Sequence, residues 1–392
     1  MPIFGLGLRI KREVWILSLA LLLLEIGWGA ITPFVMILLR SLGASFLAVG
    51  FVASIYNLIL ALSFLLGASL GDKLGGKFVF VIGAFCTILA SISYAVAFAW
   101  LHVALGLMFG RLAWGFRWAS SFSIVSEASD DEARATSFGI ASTLQYVGGT
   151  VGPIVGGLLA SYCDLRMPFY LALPLVVIST YIVVLKLGAA YARRSVPVLS
   201  VARIRNVFRI GKGIGFLIVS NMIAQFFYEF GNPFYTIFMK ESLGSPEYVI
   251  GLAASVLPVG SIMGGLPGGI LSDKTRRRKP FIVLSSAIAT IAVAFTAFSS
   301  SPWMVIATFF LFGVSNVISI NTVSAYFLDV AGSERTMVYG VYVMAGWLTA
   351  TLSPPVAGFI AESYGLRTPF LISLGGLALA TLILATLFKE RR

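Results

Sequence analysis

The stretch Gly71-Asp72-Lys73-Leu74-Gly75-Gly76-Lys77 decides how this chain is read, because apolar runs at 46–71 and 78–101 flank it and a near-copy follows 201 positions later. That copy, Asp273-Lys274-Thr275-Arg276-Arg277-Arg278-Lys279, also sits between apolar runs, at 246–271 and 280–300. Two charged hairpins at matching places in two halves point to an internally duplicated membrane protein.

Composition agrees. Hydrophobic residues make up 58% of the 392 positions and charged ones 11%, where a soluble domain carries about a quarter charged. Twelve stretches are long enough to cross a hydrocarbon layer: 14–39, 46–71, 78–101, 103–127, 134–161, 168–189, 214–239, 246–271, 280–300, 302–328, 336–361 and 368–388. Lipid cannot satisfy backbone N–H and C=O groups, so these are helices, and uniformly apolar runs of this length exclude the short alternating strands of a membrane barrel. The first run follows Arg9, Lys11 and Arg12 like a secretory signal, but it is too long for one and carries Glu25 at its centre, so it reads as a mature helix.

The net charge of +12 would suggest nucleic acid in a soluble domain; here its distribution excludes that partner. With the N-terminus cytoplasmic, 22 of the 28 Lys and Arg fall on cytoplasmic segments and four (Arg40, Arg166, Lys240, Arg367) fall outside, while Arg111 and Arg117 lie within the fourth stretch. That asymmetry orients a multi-pass cell-membrane protein with both termini cytoplasmic. Only Cys86 and Cys163 are present, far apart, and no cluster with metal-ligand spacing accompanies them.

The repeat extends well beyond the hairpins. Pro33-Phe34 answers Pro233-Phe234, Leu42-Gly43 answers Leu243-Gly244, Arg134 and Gly139 answer Arg335 and Gly340, and Leu165-Arg166-x-Pro168-Phe169 answers Leu366-Arg367-x-Pro369-Phe370. After a one-residue slip at the start, each offset is 201. The expected division is a six-helix bundle over 1–189, a basic cytoplasmic linker over 190–213 and a second six-helix bundle over 214–392. The linker holds Arg193, Arg194, Arg203, Arg205, Arg209 and Lys212, suited to anionic headgroups at the cytoplasmic face.

Six plus six helices around charged second and eighth loops resemble the major facilitator superfamily, over essentially the whole chain. The family's loop motif is matched by Ala68-x-Leu70-Gly71-Asp72-Lys73-x-Gly75-x-Lys77, with alanine where glycine is usual, and again by Gly269-x-Leu271-Ser272-Asp273-Lys274 followed by Arg276, Arg277, Arg278 and Lys279. The resemblance implies a conformational latch at Asp72, Lys73, Gly75, Lys77, Asp273, Lys274 and Arg277; the alternative is that the bases only enforce topology. Arg111-x-x-x-Gly115 is similar to the family's intramembrane arginine motif, whose base is assigned a part in proton coupling. Gly148-x-x-x-Gly152-Pro153-x-x-Gly156-Gly157 resembles the fifth-helix motif of its antiporter branches, where glycines four apart and a proline give a pliable contact between bundles.

Acids inside the membrane are the best pointers to mechanism, and two lie deep: Glu25 and Glu229. Glu25 precedes Gly27-Trp28-Gly29-x-x-Thr32-Pro33, which looks like the first-helix pattern of the twelve-helix drug:proton antiporters. Counting along the helices puts Arg111 roughly 6 Å and Arg117 roughly 3 Å in depth to either side of the mid-membrane level, near which Glu25 stands. Arg111 is the expected modulator of Glu25, Arg117 is either structural or functional, and a permanent salt bridge is the inert alternative. Asn57, Gln145, Asn221, Gln225, Asn316 and Asn321 could bind substrate or simply bond between helices, and Trp28, Trp114, Trp118, Tyr146 and Tyr228 could wall a site for lipophilic cations.

Catalytic signals are absent, as are phosphate-binding and metal motifs, so neither an enzyme nor a cofactor is expected. The resulting reading is an all-α membrane protein of twelve transmembrane helices in two pseudo-symmetric bundles. It works by alternating access, as a monomer, exchanging protons for a small amphipathic or cationic compound that it exports. The alternatives are a proton-coupled importer of a small organic anion, with Arg111 and Arg117 as its clamp, or a non-transporting membrane sensor or scaffold.

Overall fold

The computed structural model describes residues 10–187, 212–331 and 335–390, excepting the side chains at 65, 68, 72, 119, 122, 131, 212, 266, 335 and 336. Residues 190–211 of the 190–213 linker and the side chain of Asp72 therefore lie outside the described residues. The first half comprises α1 (Arg12–Ser41), α2 (Phe46–Leu74), α3 (Gly76–Ala95), α4 (Trp100–Ala128), α5 (Arg134–Tyr162) and α6 (Met167–Lys186). The second comprises α7 (Lys212–Gly231), α8 (Tyr235–Glu241), α9 (Glu247–Thr275), α10 (Lys279–Ala297), α11 (Pro302–Ala331), α12 (Arg335–Ala350), α13 (Ser353–Tyr364) and α14 (Thr368–Leu387).

Among the described residues, ten helical stretches are long and apolar enough to span a membrane. The remaining two of the expected twelve, α4 and α5, have 29 residues each and dilute their apolar content, one with Arg111, Arg117 and serines, the other with Gln145, threonines and glycines. Two spans expected as single runs are broken. The seventh is interrupted by a 3-10 turn at Asn232–Phe234 between α7 and α8. The eleventh breaks between α12 and α13, at Thr351-Leu352, just ahead of Pro354 and Pro355. Single prolines, Pro33 in α1 and Pro153 in α5, leave their helices continuous; two in succession remove two neighbouring backbone donors, and the helix cannot carry both losses.

The chain separates into two compact units, Met1–Leu42 with Ile59–Val198, and Gly43–Leu58 with Leu199–Arg392. Thus α2 is shared, its first half belonging with the second unit. Inside the first unit Leu17, Leu21 and Leu24, spaced along one face of α1, meet Phe80 of α3, Ile124 of α4 and Val183 of α6. In the second, Ile214, Leu217 and Ile218 of α7 meet Val323 and Phe327 of α11 and Val338 and Val341 of α12.

The duplication is executed in hydrogen bonds. Arg166 donates to the carbonyl of Ala97 beyond α3 at 2.8 Å, and Arg367, its counterpart, donates to that of Ser299 beyond α10 at 2.6 Å. Both hairpins turn on a residue with positive φ at the same register: Gly75 (φ 88, ψ 149) and Arg276 (φ 49, ψ 28).

The glycines of α5 lie against α1 in the same unit. A Cβ at Gly148 would come within 2.7 Å of the Leu22 carbonyl and one at Gly152 within 2.5 Å of that of Ile26, while one at Gly156 would strike that of Ala30. Glycines four apart thus receive carbonyls four apart, which makes a tight packing seam between α5 and α1 within the first unit. Gly157 and Pro153 are buried beside it.

Candidate functional site

Four helices, α1, α3, α4 and α5, build a charged centre in the first unit. Glu25 on α1 is half-buried, and its Cβ stands 2.8 Å from where a Cβ at Gly148 would be, so only glycine on α5 lets the acid sit there. From α4, Arg117 is 4% exposed. Its stem runs against Gly83 of α3, where an added Cβ would lie 2.8 Å from Cγ, and its guanidinium stands 5.7 Å over the indole of Trp28. Trp28 in turn rests on Gly110 of α4. The charges of Arg117 and Glu25 act on each other, and Nη1 of Arg117 has no hydrogen-bond partner.

A buried guanidinium is costly unless an acid or an aromatic face compensates it; here the indole of Trp28 lies beneath it and the charge of Glu25 acts on it from within electrostatic reach. Glu25 is therefore a carboxylate with competing claims: Arg117, a proton, or an arriving cation. The sequence points to Arg111 as the modulator of Glu25; in the structure the charge of Arg117 acts on Glu25. Six residues along α4 turn a side chain by about 120°, and Arg111 instead lies within electrostatic reach of the buried Tyr94 hydroxyl while its carbonyl accepts from Ser63 at 3.3 Å.

The second unit buries Glu229, 1% exposed, at the end of α7. Its Oε1 accepts from Nδ2 of Asn232 at 3.0 Å and its Oε2 from Nδ2 of Asn57 at 3.1 Å. Asn57 belongs to the first half of α2, and what that half does was not legible in advance. In an α-helix the carbonyls of Ala350 and Thr351 would receive the N–H groups of residues 354 and 355, and both are proline. Asn57 donates to the first of these carbonyls at 3.3 Å and Ser54 to the second at 2.5 Å. Gly50, one turn earlier, is what admits the contact: a Cβ there would strike the Pro354 carbonyl. Glu362 of α13 completes the dock, accepting from the backbone N–H of Phe46 at 2.8 Å and of Leu47 at 3.3 Å, and so caps the start of α2 with a negative charge.

The other expected residues scatter. Asn221 donates to the carbonyl of Tyr342 at 2.9 Å, and both it and Gln225 crowd Gly346 of α12. Asn316 and Asn321 on α11 are exposed, and Gln145 on α5 is half-buried. Trp114 and Trp118 turn edges to Phe64, Tyr228 meets Phe312, and Tyr146 is exposed.

The hairpins tie helices within their own units. Lys77 donates to the carbonyls of Val184 and Leu187, at 2.8 and 2.6 Å, capping the end of α6. Its counterpart is Arg278, not Arg277: it donates to Asp273 at 2.7 Å and to Asp329 at 3.0 Å. Glu390 accepts from its backbone N–H at 2.6 Å. Burial of Arg278 works to lower its pKa, but the bonds to Asp273 and Asp329 outweigh that and hold it above the ordinary arginine value. Lys73, Lys274 and Arg277 are exposed.

A model of the Major Facilitator Superfamily matches residues 17–220 and again 217–392. Quinolone resistance protein NorA of Staphylococcus aureus is 21% identical over 391 residues, covering 97% of this chain and 98% of the relative. Multidrug resistance protein MdtG of Serratia proteamaculans is 25% identical over 378 residues, covering 93% and 90%. Among solved structures, the nucleoside transporter NupG superposes with a TM-score of 0.78 at 15% identity over 97% of this chain and 100% of that one. A bacterial homolog of the human lysosomal transporter Spinster, inward-facing and unoccupied, gives 0.73 at 16% over 97% and 98%. At these identities the likeness to the solved structures is one of fold.

Proposed function

The chain belongs to the Major Facilitator Superfamily, and on that premise we propose that this membrane transporter is a proton-coupled antiporter, exporting a small amphipathic or cationic compound by alternating access with both termini cytoplasmic. The observation that carries the reading is the placing of Glu25 within electrostatic reach of buried Arg117, whose guanidinium lies over the indole of Trp28. A carboxylate in that setting can hold a proton or a cation, and each excludes the other, which is what exchange requires. The two relatives support the direction and the substrate class, since both carry drug-resistance names. The loading group is Glu25, Arg117 tunes it, and the proton is the coupling ion.

The experiment uses proteoliposomes with an imposed pH gradient and a panel of ethidium, tetraphenylphosphonium and a quinolone. Proton-driven counterflow of at least one of them is expected, and Glu25→Gln, checked for folding by gel filtration and circular dichroism, should abolish it. Full antiport by the folded variant removes Glu25 from the mechanism. Gradient-driven uptake of organic anions in place of cation counterflow overturns the reading altogether.

A further inference from the structure

Asn57 is wholly buried, and its amide makes a choice that can be worked out from donors and acceptors alone. Nδ2 stands between two acceptors, Oε2 of Glu229 and the carbonyl oxygen of Ala350, at 3.1 and 3.3 Å. An amide oxygen at that position would face two oxygens, so the orientation is fixed. Oδ1, on the other side, is buried without a partner. This arrangement suits an ionised Glu229, whose Oε1 is already taken by Asn232.

Each oxygen of Glu229 accepts from an amide N–H, Oε1 from Asn232 and Oε2 from Asn57, and the proton that bears on α2 is the one that settles on Oε2. Oε2–H is then itself a donor and confronts Nδ2. Asn57 can accept from it only by rotating its amide and turning Oδ1 inward. That rotation takes Nδ2 away from Ala350, whose carbonyl has no helical donor because residue 354 is proline. One of the two side-chain bonds that hold α2 to the α12–α13 break is lost, and Ser54 to Thr351 remains.

We propose that the proton load of Glu229 sets how firmly the first half of α2 is held in the second unit, with Asn57 as the positioning residue that transmits it: docked when Glu229 is ionised, loosened when it is protonated. Tyr235 of α8 is the titratable group seen within electrostatic reach of Glu229, and Tyr228 of α7 acts on the same Tyr235. The neighbouring elements contribute Asn57 from α2, the Ala350 carbonyl from α12, and the rings of Phe312 and Phe370 around Tyr235. The proposal deepens the proton-coupled reading, yet its readout needs no transport.

The test is hydrogen exchange by mass spectrometry on the full-length protein in nanodiscs, following peptides within 43–58 across pH 5 to pH 9 after correction for intrinsic rates. In the wild type these peptides are expected to exchange about tenfold faster at the acid end, the effect of one net hydrogen bond on a local opening. Glu229→Gln should exchange fast throughout, and Asn57→Ala should be fast and pH-independent although Glu229 is intact. A flat wild-type profile, or a pH response retained in Asn57→Ala, overturns the proposal, and the wild-type titration decides by itself if a variant does not fold. Loss of antiport with the exchange profile intact counts against the proposed function and leaves this dock standing.

Discussion

Ser54 donates its hydroxyl at 2.5 Å to the carbonyl of Thr351, the very group that loses its helical donor because residue 355 is proline. The bond therefore replaces a backbone hydrogen bond with a side chain from another helix. Ser54→Ala leaves a part-buried carbonyl unsatisfied, at a cost of about 1–3 kcal/mol. Pro355→Ala supplies an N–H at the missing position. In that background Ser54→Ala should cost clearly less, and a double-mutant cycle by thermal unfolding in detergent reads the difference. Additive effects of the two substitutions would show that Ser54 does not stand in for the proline's donor.

The two hairpins make an opposite pair of predictions. Gly75 sits at φ 88 and ψ 149, a region open in practice to glycine only, whereas Arg276 at φ 49 and ψ 28 is in the left-handed helical region that other residues reach at some expense. Gly75→Ala should lower stability by about 1–3 kcal/mol. Arg276→Gly should leave it unchanged or raise it slightly, since relief of the left-handed conformation is offset by glycine's greater chain entropy. Unfolding temperatures of the two variants, measured side by side, check the signs; an equal loss in both would mean that the turn is not held in these conformations.

Much of the fold was legible because lipid makes hard demands. The first apolar run, 14–39, became α1 over Arg12–Ser41, and the offset of 201 reappeared in the bonds of Arg166 and Arg367. Residues that depend on three-dimensional direction were less so. Arg276, Arg277 and Arg278 are alike in sequence, and only the turn at Arg276 decides that Arg278 meets Asp273 and Asp329. Likewise, depth along α4 could be counted for Arg111 and Arg117, but which one reaches Trp28 depends on rotation about the helix and on the space Gly83 leaves for the stem of Arg117. The doublet Pro354-Pro355 announced two carbonyls in need of donors; nothing in one chain's order of residues said that Ser54 and Asn57 would provide them.

The inert alternative for Glu25, a permanent lock on Arg117, and the transporting one differ in what a paired replacement does. Removing either partner strands the other charge: Arg117→Met leaves a half-buried carboxylate, Glu25→Gln leaves a guanidinium whose Nη1 already lacks a partner. Each single change should destabilise the folded protein, by up to about 3–5 kcal/mol for a fully desolvated pair and less here because Glu25 is only half-buried. The double variant, Glu25→Gln with Arg117→Met, removes both charges and should recover most of that loss, which thermal unfolding in detergent will show as a positive coupling. Transport then separates the two roles. If the pair merely locked the helices, the double variant would be stable and active. On the proposed mechanism it is stable and inactive, because no carboxyl remains at that position to exchange a proton for a cation, and recovered counterflow in the double variant would assign the exchange to another residue.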